Sequence, residues 1–401
     1  ATVFLIPLSL KLSIPFLGSA LTVPSELLLS ILVVVTLPIL FFTNRMDRKI
    51  VLHPVTVLLV IDTAWMLFTC LTSEMPQVSM KRVIMRVIFI VGYYFIFAHL
   101  FKKSRLLIRP FVLYAIGLIP AVLYIWRSHA HYNFDPRAAF SISQPFFPDH
   151  TIYGACIAFV IPAITIVIYN NKLFRLNQFS KVCLIIVASI LYIAEFLAYS
   201  RAALITVILA ALFYLLMKKV RLRLWHLILS VVFLASLGFS FSNELTDWAK
   251  TNDAVSNDGN IANHYKSVTN ISRDASNLER INRWVCAYRM FEERPLTGFG
   301  PGTYQFQYYQ FQTSETTTYI STSNGDRGNA HSEYMTYLSE TGIIGFLIFI
   351  CLTLYTIFLG LNVYYQSLDK RIKCVAMAAT LGLLTFFIHG IFNSFIDQDK
   401  M

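Results

Sequence analysis

Charged residues are scarce in this chain. Asp, Glu, Lys and Arg make up 14% of the 401 residues, whereas hydrophobic residues make up 56%. A soluble globule of this length needs more polar side chains to cover its surface. The composition therefore predicts a polytopic membrane protein and argues against an ordinary soluble enzyme.

Cysteine chemistry and nucleotide-binding motifs are also missing. The six cysteines include no CxxC pair and no Cys/His spacing typical of a metal site, and only Cys286 lies in the large polar segment. The alternating Gly298, Gly300 and Gly302 lack the Lys-Ser/Thr pair of a phosphate-binding P-loop. We interpret this stretch as a turn that needs unusual backbone angles, and we expect neither a metal nor any other cofactor.

Apolar runs near the roughly 20 residues needed to cross a bilayer occur eleven times. They lie at residues 2–18, 24–43, 53–72, 83–101, 111–126, 151–169, 182–198, 202–217, 226–242, 335–361 and 374–395. About half of the 33 Lys and Arg residues lie in the short connections after every second span. Short basic loops stay cytoplasmic, so the amino terminus is predicted to be cytoplasmic and the segment 243–330 external.

The topology divides the chain into three parts. We expect transmembrane helices 1 to 9 in residues 1–242, a large external loop with surface helices in 243–334, and the carboxyl-terminal transmembrane helices in 335–401. The net charge of +11 follows from the basic loops, so nucleic acid is not expected as a partner. Arg82 and Arg86 open the fourth span, where snorkelling to the interface is the expected behaviour.

A surface helix is predicted from Ser276 onward, because Ser276 and Glu279 fit a capping box. Its other side carries Arg280 and Arg283, which are neighbours on a helix. Two guanidinium groups near a helix amino terminus suit an anion site, and a solvated charged face with Glu279 as partner is an equal alternative. The apolar stripe of this helix is predicted to contain Leu278, Ile281, Trp284 or Val285, Tyr288 and Phe291.

Further ionisable residues lie where the chain meets the external membrane surface. Asp149 and His150 open the sixth span, and Asp149 is either a helix cap or a site residue. Arg201 lies in the tight turn between the seventh and eighth spans. It is either a headgroup anchor or an anion ligand, because a charge at membrane depth is costly unless it is used.

The last two spans add a second polar group on the same side. His331 and Glu333 open the tenth span. A single histidine at an interface more often has a structural role, and it can also accept a proton near neutral pH. The external half of the last span carries a polar stripe, formed by His389, Asn393 and Asp397. Such a stripe faces protein and has a functional or packing role.

Three motifs, in this order, resemble the O-antigen ligase and polymerase superfamily. They are SRAAL at 200–204, Arg280 four residues before Trp284 followed by PLTGFGPGTY, and AHSEYMTYLSETGIIGF at 330–346. The resemblance covers about residues 185–346. It implies an all-α polytopic membrane protein, a GT-C-type glycosyltransferase with eleven or twelve transmembrane helices and one large periplasmic loop. It also implies location in the bacterial inner membrane with the active site on the periplasmic side.

The resemblance also implies a reaction. A glycan would pass from undecaprenyl pyrophosphate to a sugar hydroxyl of lipid A core, among membrane lipids and without metal or nucleotide. His331 is then the expected general base, and Arg201 and Arg280 the expected diphosphate ligands, with Arg283 as a further candidate. Supporting roles are considered for Asp149, His150, Glu333 and His389.

Two alternatives stay open at this stage. A polymerase would use a second lipid-linked repeat unit as acceptor, and the motifs do not separate it from a ligase. A transporter or flippase for lipid-linked sugars would show charges and broken helices at mid-membrane with inverted repeats, whereas the ionisable residues here gather at the external rim. No external carboxylate pair has the spacing of a retaining nucleophile, so inversion is expected.

Overall fold

The computed structural model describes residues 2–14, 19–42, 47–100, 107–230, 232, 278–313, 317, 321 and 328–395. Its α-helices are α1 (Thr2–Leu5), α2 (Ser25–Phe42), α3 (Arg48–Val51), α4 (Pro54–Leu71), α5 (Pro76–Phe89), α6 (Phe97–Leu100), α7 (Arg109–Ala130), α8 (Ala139–Ile142), α9 (His150–Tyr169), α10 (Gln178–Leu197), α11 (Arg201–Lys219), α12 (224–230), α13 (278–293), α14 (Tyr304–Gln307), α15 (Glu333–Gln366) and α16 (Lys370–His389). The remaining regular elements are a π-helix (Ile90–Ile96) between α5 and α6, 3₁₀ turns (Ile6–Leu8 and Tyr308–Phe311), and two antiparallel strands, β1 (Leu10–Ile14) and β2 (Ser19–Val23).

Within the described residues, eight helices are long and apolar enough to cross a membrane. They are α4, the continuous stretch Pro76–His99, α7, α9, α10, α11, α15 and α16. The predicted fold class, an all-α polytopic membrane protein, is confirmed. Helix α2 is a shorter apolar helix at the second predicted span, and most of the ninth predicted span, 226–242, lies outside the described residues.

The first predicted span, 2–18, is wrong. One helical turn and one 3₁₀ turn are followed by strand β1, which pairs with β2. Pro7 and Pro15 explain the difference, because each removes a backbone donor and too few residues lie between them for a membrane helix. The expectation of a cytoplasmic amino terminus depended on this span and loses its support.

Helix α9 is the centre of the bundle. It packs against α7, α10, α11 and α16, and most of its side chains are buried. Small residues allow these close approaches, which drive helix association in a membrane. A Cβ atom at Gly154 would lie 3.0 Å from the Cβ of Ala203 and 3.2 Å from that of Ser200. The start of α9, with Asp149, is therefore held beside the start of α11, with Arg201.

Helix α15 is broken at Gly342, whose φ of +66° lies outside the helical region. The indole nitrogen of Trp65 donates to the carbonyl of Thr341 at 2.9 Å. Two backbone amides of the glycine-rich stretch donate to the carbonyls of Ser339 and Glu340, at 3.0 and 2.9 Å. The carbonyl groups at the break are thus satisfied by protein, as backbone at membrane depth requires.

The turn predicted at the glycine-rich stretch is confirmed. Gly298, Gly300 and Gly302 have φ values of +65°, +105° and +79°. The amides of Gly302 and Tyr304 also donate to the buried carboxylate of Glu340, at 2.7 and 3.0 Å. This joint fixes the end of α13 against α15.

The snorkelling predicted for Arg86 is wrong. Its side chain is buried, and its Nη2 and Nε atoms donate to Oδ2 of Asp62 at 2.6 and 3.1 Å. A charge inside a membrane helix bundle is tolerated when it is paired. The pair therefore joins α4 to α5.

Two substitutions in the glycine-rich turn separate backbone strain from steric overlap. A positive φ costs a non-glycine residue about 1–2 kcal/mol, and Gly298→Ala and Gly302→Ala share that cost. A Cβ at Gly298 would also lie 2.4 Å from the carbonyl carbon of Glu340, whereas at Gly302 its nearest neighbour is 3.4 Å away. We expect Gly298→Ala to lower the thermal unfolding midpoint of the purified protein further than Gly302→Ala. Equal midpoints would contradict this packing.

Candidate active site where the helix ends meet

Asp149 caps α9 at the point where several helix ends meet. One of its carboxylate oxygens, Oδ1, accepts from two backbone amides of the first turn at 2.7 and 3.0 Å, and from the Thr151 hydroxyl at 2.5 Å. The capping alternative is confirmed. The same carboxylate lies within electrostatic range of Arg280, His331 and His389, so it also belongs to their surroundings.

Arg201 and Arg280 bring two positive charges to this point. Arg201 is the first residue of α11 and is exposed, whereas Arg280, in the first turn of α13, is half-buried. Burial lowers the pKa of Arg280 below its ordinary value, the Asp149 carboxylate raises it, and the Arg201 guanidinium lowers it. Two guanidinium groups beside one carboxylate leave a net positive charge, which suits a polyvalent anion such as a diphosphate.

Arg283 points into the protein. Its Nε atom donates to Oε1 of Glu279 at 2.7 Å, and its Nη1 atom donates to the carbonyl of Asn329 at 3.0 Å. Its guanidinium carbon also lies 4.9 Å from the centre of the Tyr308 ring. The predicted pairing with Glu279 is confirmed, but both groups are buried rather than solvated. A role for Arg283 in binding diphosphate stays a prediction.

The apolar stripe predicted for α13 is wrong, since Tyr288 is 50% exposed. The buried side chains of α13 are Leu278, Glu279, Asn282, Arg283, Cys286, Ala287 and Met290. Hydrophobic periodicity did not predict this buried face, because its polar side chains are paired with each other and with the loop. Tyr304 and Tyr308 pack on this face with stacked rings 5.3 Å apart. Ser276 of the predicted capping box lies outside the described residues.

The backbone of His331 is held from two sides. Its amide donates to Oδ1 of Asn329 at 3.0 Å, and its carbonyl accepts from Nε1 of Trp284 at 3.4 Å. Its φ of +48° is uncommon for a histidine and is maintained by these contacts. Arg280 and Trp284 are one helical turn apart, so one face of α13 places both a guanidinium and the backbone of His331.

The imidazole of His331 is strongly disfavoured in its charged form. Burial lowers its pKa from 6.5 to about 4, and the guanidinium groups of Arg283 and Arg280 add to that effect. Asp149 and a hydrogen bond with the Asn393 side chain act in the opposite direction. The ring is therefore neutral at neutral pH, which is the form that can accept a proton.

Of the remaining predicted residues, His389 joins this group, whereas Glu333 has a structural role. His389, at the end of α16, lies within electrostatic range of Asp149, Arg280 and His150. Glu333 is buried; its amide donates to the carbonyl of Gly390 at 2.8 Å, and its Oε1 accepts from the amide of Phe395. It fastens the segment after α16 to the start of α15. Asp397 lies outside the described residues.

Sequence reasoning missed two features of the site. Trp284 was predicted as a stripe residue, yet it anchors His331, and Asn393 was noted only as part of a polar stripe. A polar cavity of about 250 Å³ also lies beside Asn329 and Ala330, with Arg82, Gln305 and Ser394 in its wall. Among the described residues, no group of His, Cys, Asp or Glu has the geometry to hold a metal ion.

The architecture and the site define a multi-pass, all-α membrane protein with a positively charged, histidine-containing rim. Residues 182–350 match a family described as O-antigen ligase, and a comparison with curated proteins finds no match. This part of the chain is therefore similar to the O-antigen ligase and polymerase superfamily, as the motifs indicated. This family indicates ligase-type or polymerase-type activity, with lipid-linked glycans as substrates. The matched region contains Arg201, Arg280 and His331.

The buried ion pair of α13 can be tested by removing one or both charges. Leaving one member of a buried pair alone costs about 3–5 kcal/mol, so Arg283→Met should lower the thermal unfolding midpoint clearly. The double variant Glu279→Gln/Arg283→Met should recover most of the loss. Arg289→Met, at an exposed arginine of the same helix, is the matched control. A midpoint for Arg283→Met equal to that of the control would rule out this contribution.

Proposed function

We propose that the protein is a metal-independent glycosyltransferase of the O-antigen ligase type. It transfers a glycan from undecaprenyl pyrophosphate to a sugar hydroxyl of lipid A core, at the periplasmic face of the bacterial inner membrane. The observation that carries this proposal is that Arg280 lies within electrostatic range of Arg201, His331 and Asp149, which belong to other segments of the chain. The order of the motifs and the family match over 182–350 support it.

The donor has an anionic and a hydrocarbon part, and the rim offers a surface for each. Arg201 and Arg280 bind the diphosphate through charge-assisted hydrogen bonds. Below Arg201, the side chains of Ile205, Ile208 and Leu212 recur at helical spacing on α11 and are 50%, 59% and 56% exposed. The undecaprenyl chain can lie along this apolar face while its diphosphate reaches the arginines.

The chemistry needs one base and stabilisation of one leaving group. The acceptor hydroxyl loses its proton to His331 as its oxygen bonds to the anomeric carbon of the donor sugar. The bond from that carbon to the diphosphate oxygen breaks, and the electron pair leaves with the diphosphate, where the guanidinium groups stabilise the charge. Attack in one step inverts the anomeric centre. The donor bond is already activated, so no ATP is required.

The acceptor enters through the polar cavity beside Asn329 and Ala330, directly before His331 in the chain. A polymerase is the alternative function, with a second lipid-linked repeat unit in that cavity. Transfer assays with purified lipid A core and with lipid-linked repeat units separate the two. Product formed with repeat units but not with core would replace the ligase proposal by the polymerase.

The roles of His331 and Arg280 predict opposite effects on binding and transfer. His331→Ala should keep donor affinity nearly unchanged and lower single-turnover transfer by about 10²- to 10⁴-fold, the usual contribution of a general base. Arg280→Ala should weaken donor binding first. Donor affinity and transfer are measured on the same preparations. A fully active His331→Ala variant would remove the histidine from the mechanism, and lost donor binding would move it to the diphosphate site.

The pH profile provides an independent check on the base. Transfer should rise with pH, because only the neutral ring of His331 accepts a proton. For kcat/KM, which reports the free enzyme, the midpoint should lie well below 6.5, since the pKa of His331 is about 4. Bound diphosphate is negative and raises the pKa, so the midpoint for kcat should be higher. Coinciding midpoints would place the diphosphate away from His331.

Membrane orientation is tested by thiol labelling of intact cells. Gln310 and Gln366 are both exposed, at the loop side and at the far end of α15. In a variant without native cysteines, Gln310→Cys should react with an impermeant reagent, whereas Gln366→Cys should react only after permeabilisation. The reverse pattern would overturn the periplasmic placement.

A further inference from the structure

A second polar cavity lies at the opposite end of the helix bundle from the candidate active site. Its volume is about 300 Å³, and its wall consists of Arg221, Leu222, Arg223, Phe358, Asn362 and Tyr365. Helix α11 begins at Arg201 and ends at Lys219, so at 1.5 Å per residue its two ends are about 27 Å apart. This length is close to the thickness of the hydrocarbon core of a bilayer, about 30 Å. The cavity therefore lies at the membrane surface opposite to Arg201.

Hydrogen bonds of Tyr365 hold the two sides of this cavity together. The three residues that α15 contributes to the wall recur at helical spacing on one face of that helix. The Tyr365 hydroxyl donates to the carbonyls of Met217 and Val220, each at 3.1 Å, and accepts from the amide of Leu222 at 3.3 Å. The side chain of Leu222 is buried in the core. The segment that carries the two arginines is thus fixed against the end of α15.

The cavity presents positive charge and hydrogen-bond donors. Arg221 and Arg223 are exposed, no carboxylate lies in the wall, and neither arginine pairs with an acidic side chain within the described parts of the chain. The guanidinium carbon of Arg221 lies 6.0 Å from the centre of the Tyr365 ring. Oδ1 of Asn362 accepts from Nε2 of Gln366 at 2.7 Å, which leaves the amide nitrogen of Asn362 to donate to a ligand. Two guanidinium groups with an added amide donor suit a phosphate.

The surroundings of the cavity favour a lipid over a free anion. Leu215 and Leu216, in the last turns of α11, are exposed, as are Ile228 and Leu229 on α12. Trp225, at the start of α12, is also exposed, and tryptophan is enriched where a membrane protein meets the headgroups. A positively charged cavity beside apolar side chains matches a molecule with an anionic head and hydrocarbon chains.

We propose that this cavity binds the phosphate group of an anionic phospholipid, with Arg221 and Arg223 as phosphate ligands and Asn362 as a further donor. The acyl chains lie along the exposed apolar side chains of α11 and α12. The volume is at the lower end of the range for ligand pockets, about 300–1,000 Å³, so the cavity suits a headgroup and is too small for a long glycan. The bound lipid joins α11 to α15. This site is separate from the proposed transfer reaction and does not depend on it.

Native mass spectrometry of the complete protein in detergent, titrated with phosphatidylglycerol, tests the site. Removing two charge-assisted contacts in Arg221→Gln/Arg223→Gln should weaken binding about tenfold or more. The matched control is Lys172→Gln/Arg175→Gln, because these residues are exposed, carry the same charge and lie at the same end of the bundle outside the cavity wall. The control should bind as the wild type does. Equal losses in both double variants would attribute binding to general positive charge and overturn the site.

The source of the phosphate is decided by competition. Inorganic phosphate in about hundredfold excess should leave phosphatidylglycerol bound, because the free anion makes no contact with the apolar side chains. Displacement by an equal concentration of inorganic phosphate would overturn the assignment to a lipid. Phosphatidylcholine, whose headgroup carries no net charge, should bind more weakly than phosphatidylglycerol to the wild type. Equal affinities for the two lipids would contradict a site selective for anions.

Tyr365→Phe separates the shaped cavity from its charges. This variant keeps both arginines and the aromatic ring but loses the hydroxyl that holds the segment from Met217 to Leu222. We expect weaker binding of phosphatidylglycerol and a smaller rise of the thermal unfolding midpoint on addition of that lipid than in the wild type. An affinity and a rise equal to those of the wild type would show that no shaped cavity is needed, and would overturn the proposal even if Arg221→Gln/Arg223→Gln fails to fold.

Discussion

The carboxylate of Glu340 joins the segment after α13 to the membrane helices. It accepts from two amides of the glycine-rich turn, directly beside the break in α15 at Gly342. The glycine-rich turn follows α13, so these hydrogen bonds determine where α13 lies. Helix α13 then places Arg280 and anchors His331 through Trp284. The distance between Arg280 and His331 therefore depends on a buried, hydrogen-bonded carboxylate that lies outside the proposed site.

In the proposed reaction, the electrostatics of the site favour donor binding before proton transfer. Without donor, burial lowers the pKa of His331 to about 4, with smaller contributions from Arg283 and Arg280, and a base that weak gains little from taking a proton at neutral pH. A bound diphosphate neutralises the arginines and raises the pKa of the ring. In the proposed reaction, the diphosphate that leaves thus strengthens the base that starts the displacement. This coupling requires no conformational change, because it acts through charges that are already held in place.

The sequence predicted the parts of this protein that depend on composition and local pattern. Most membrane spans, the positive φ angles of the glycine-rich turn and the cap at Asp149 were predicted in this way. Arg201, Arg280 and His331 were found through motif resemblance, and only the folded chain shows that Asp149 and Arg280 lie together. The sequence-based predictions failed where an ion pair determines whether a charged residue is buried. The polar face of α13 and Arg86 are buried because Glu279 and Asp62 neutralise them, and no periodicity shows such partners.

The buried pair and the broken helix bear on the transporter alternative, since a flippase would show charges and helix breaks at mid-membrane. Both features occur here, in Asp62 with Arg86 and at Gly342 in α15. At both places, however, the polar groups are bonded to other parts of the protein. The two charges bind each other at 2.6 Å, and the carbonyls at the break bind Trp65 and the glycine-rich turn. A substrate path needs such groups to be available to cargo, whereas these are used to hold the loop and bundle together. The groups suited to a ligand lie at the rim instead, where Arg201 is exposed above an apolar helix face, and this arrangement favours chemistry at the membrane surface over passage through it.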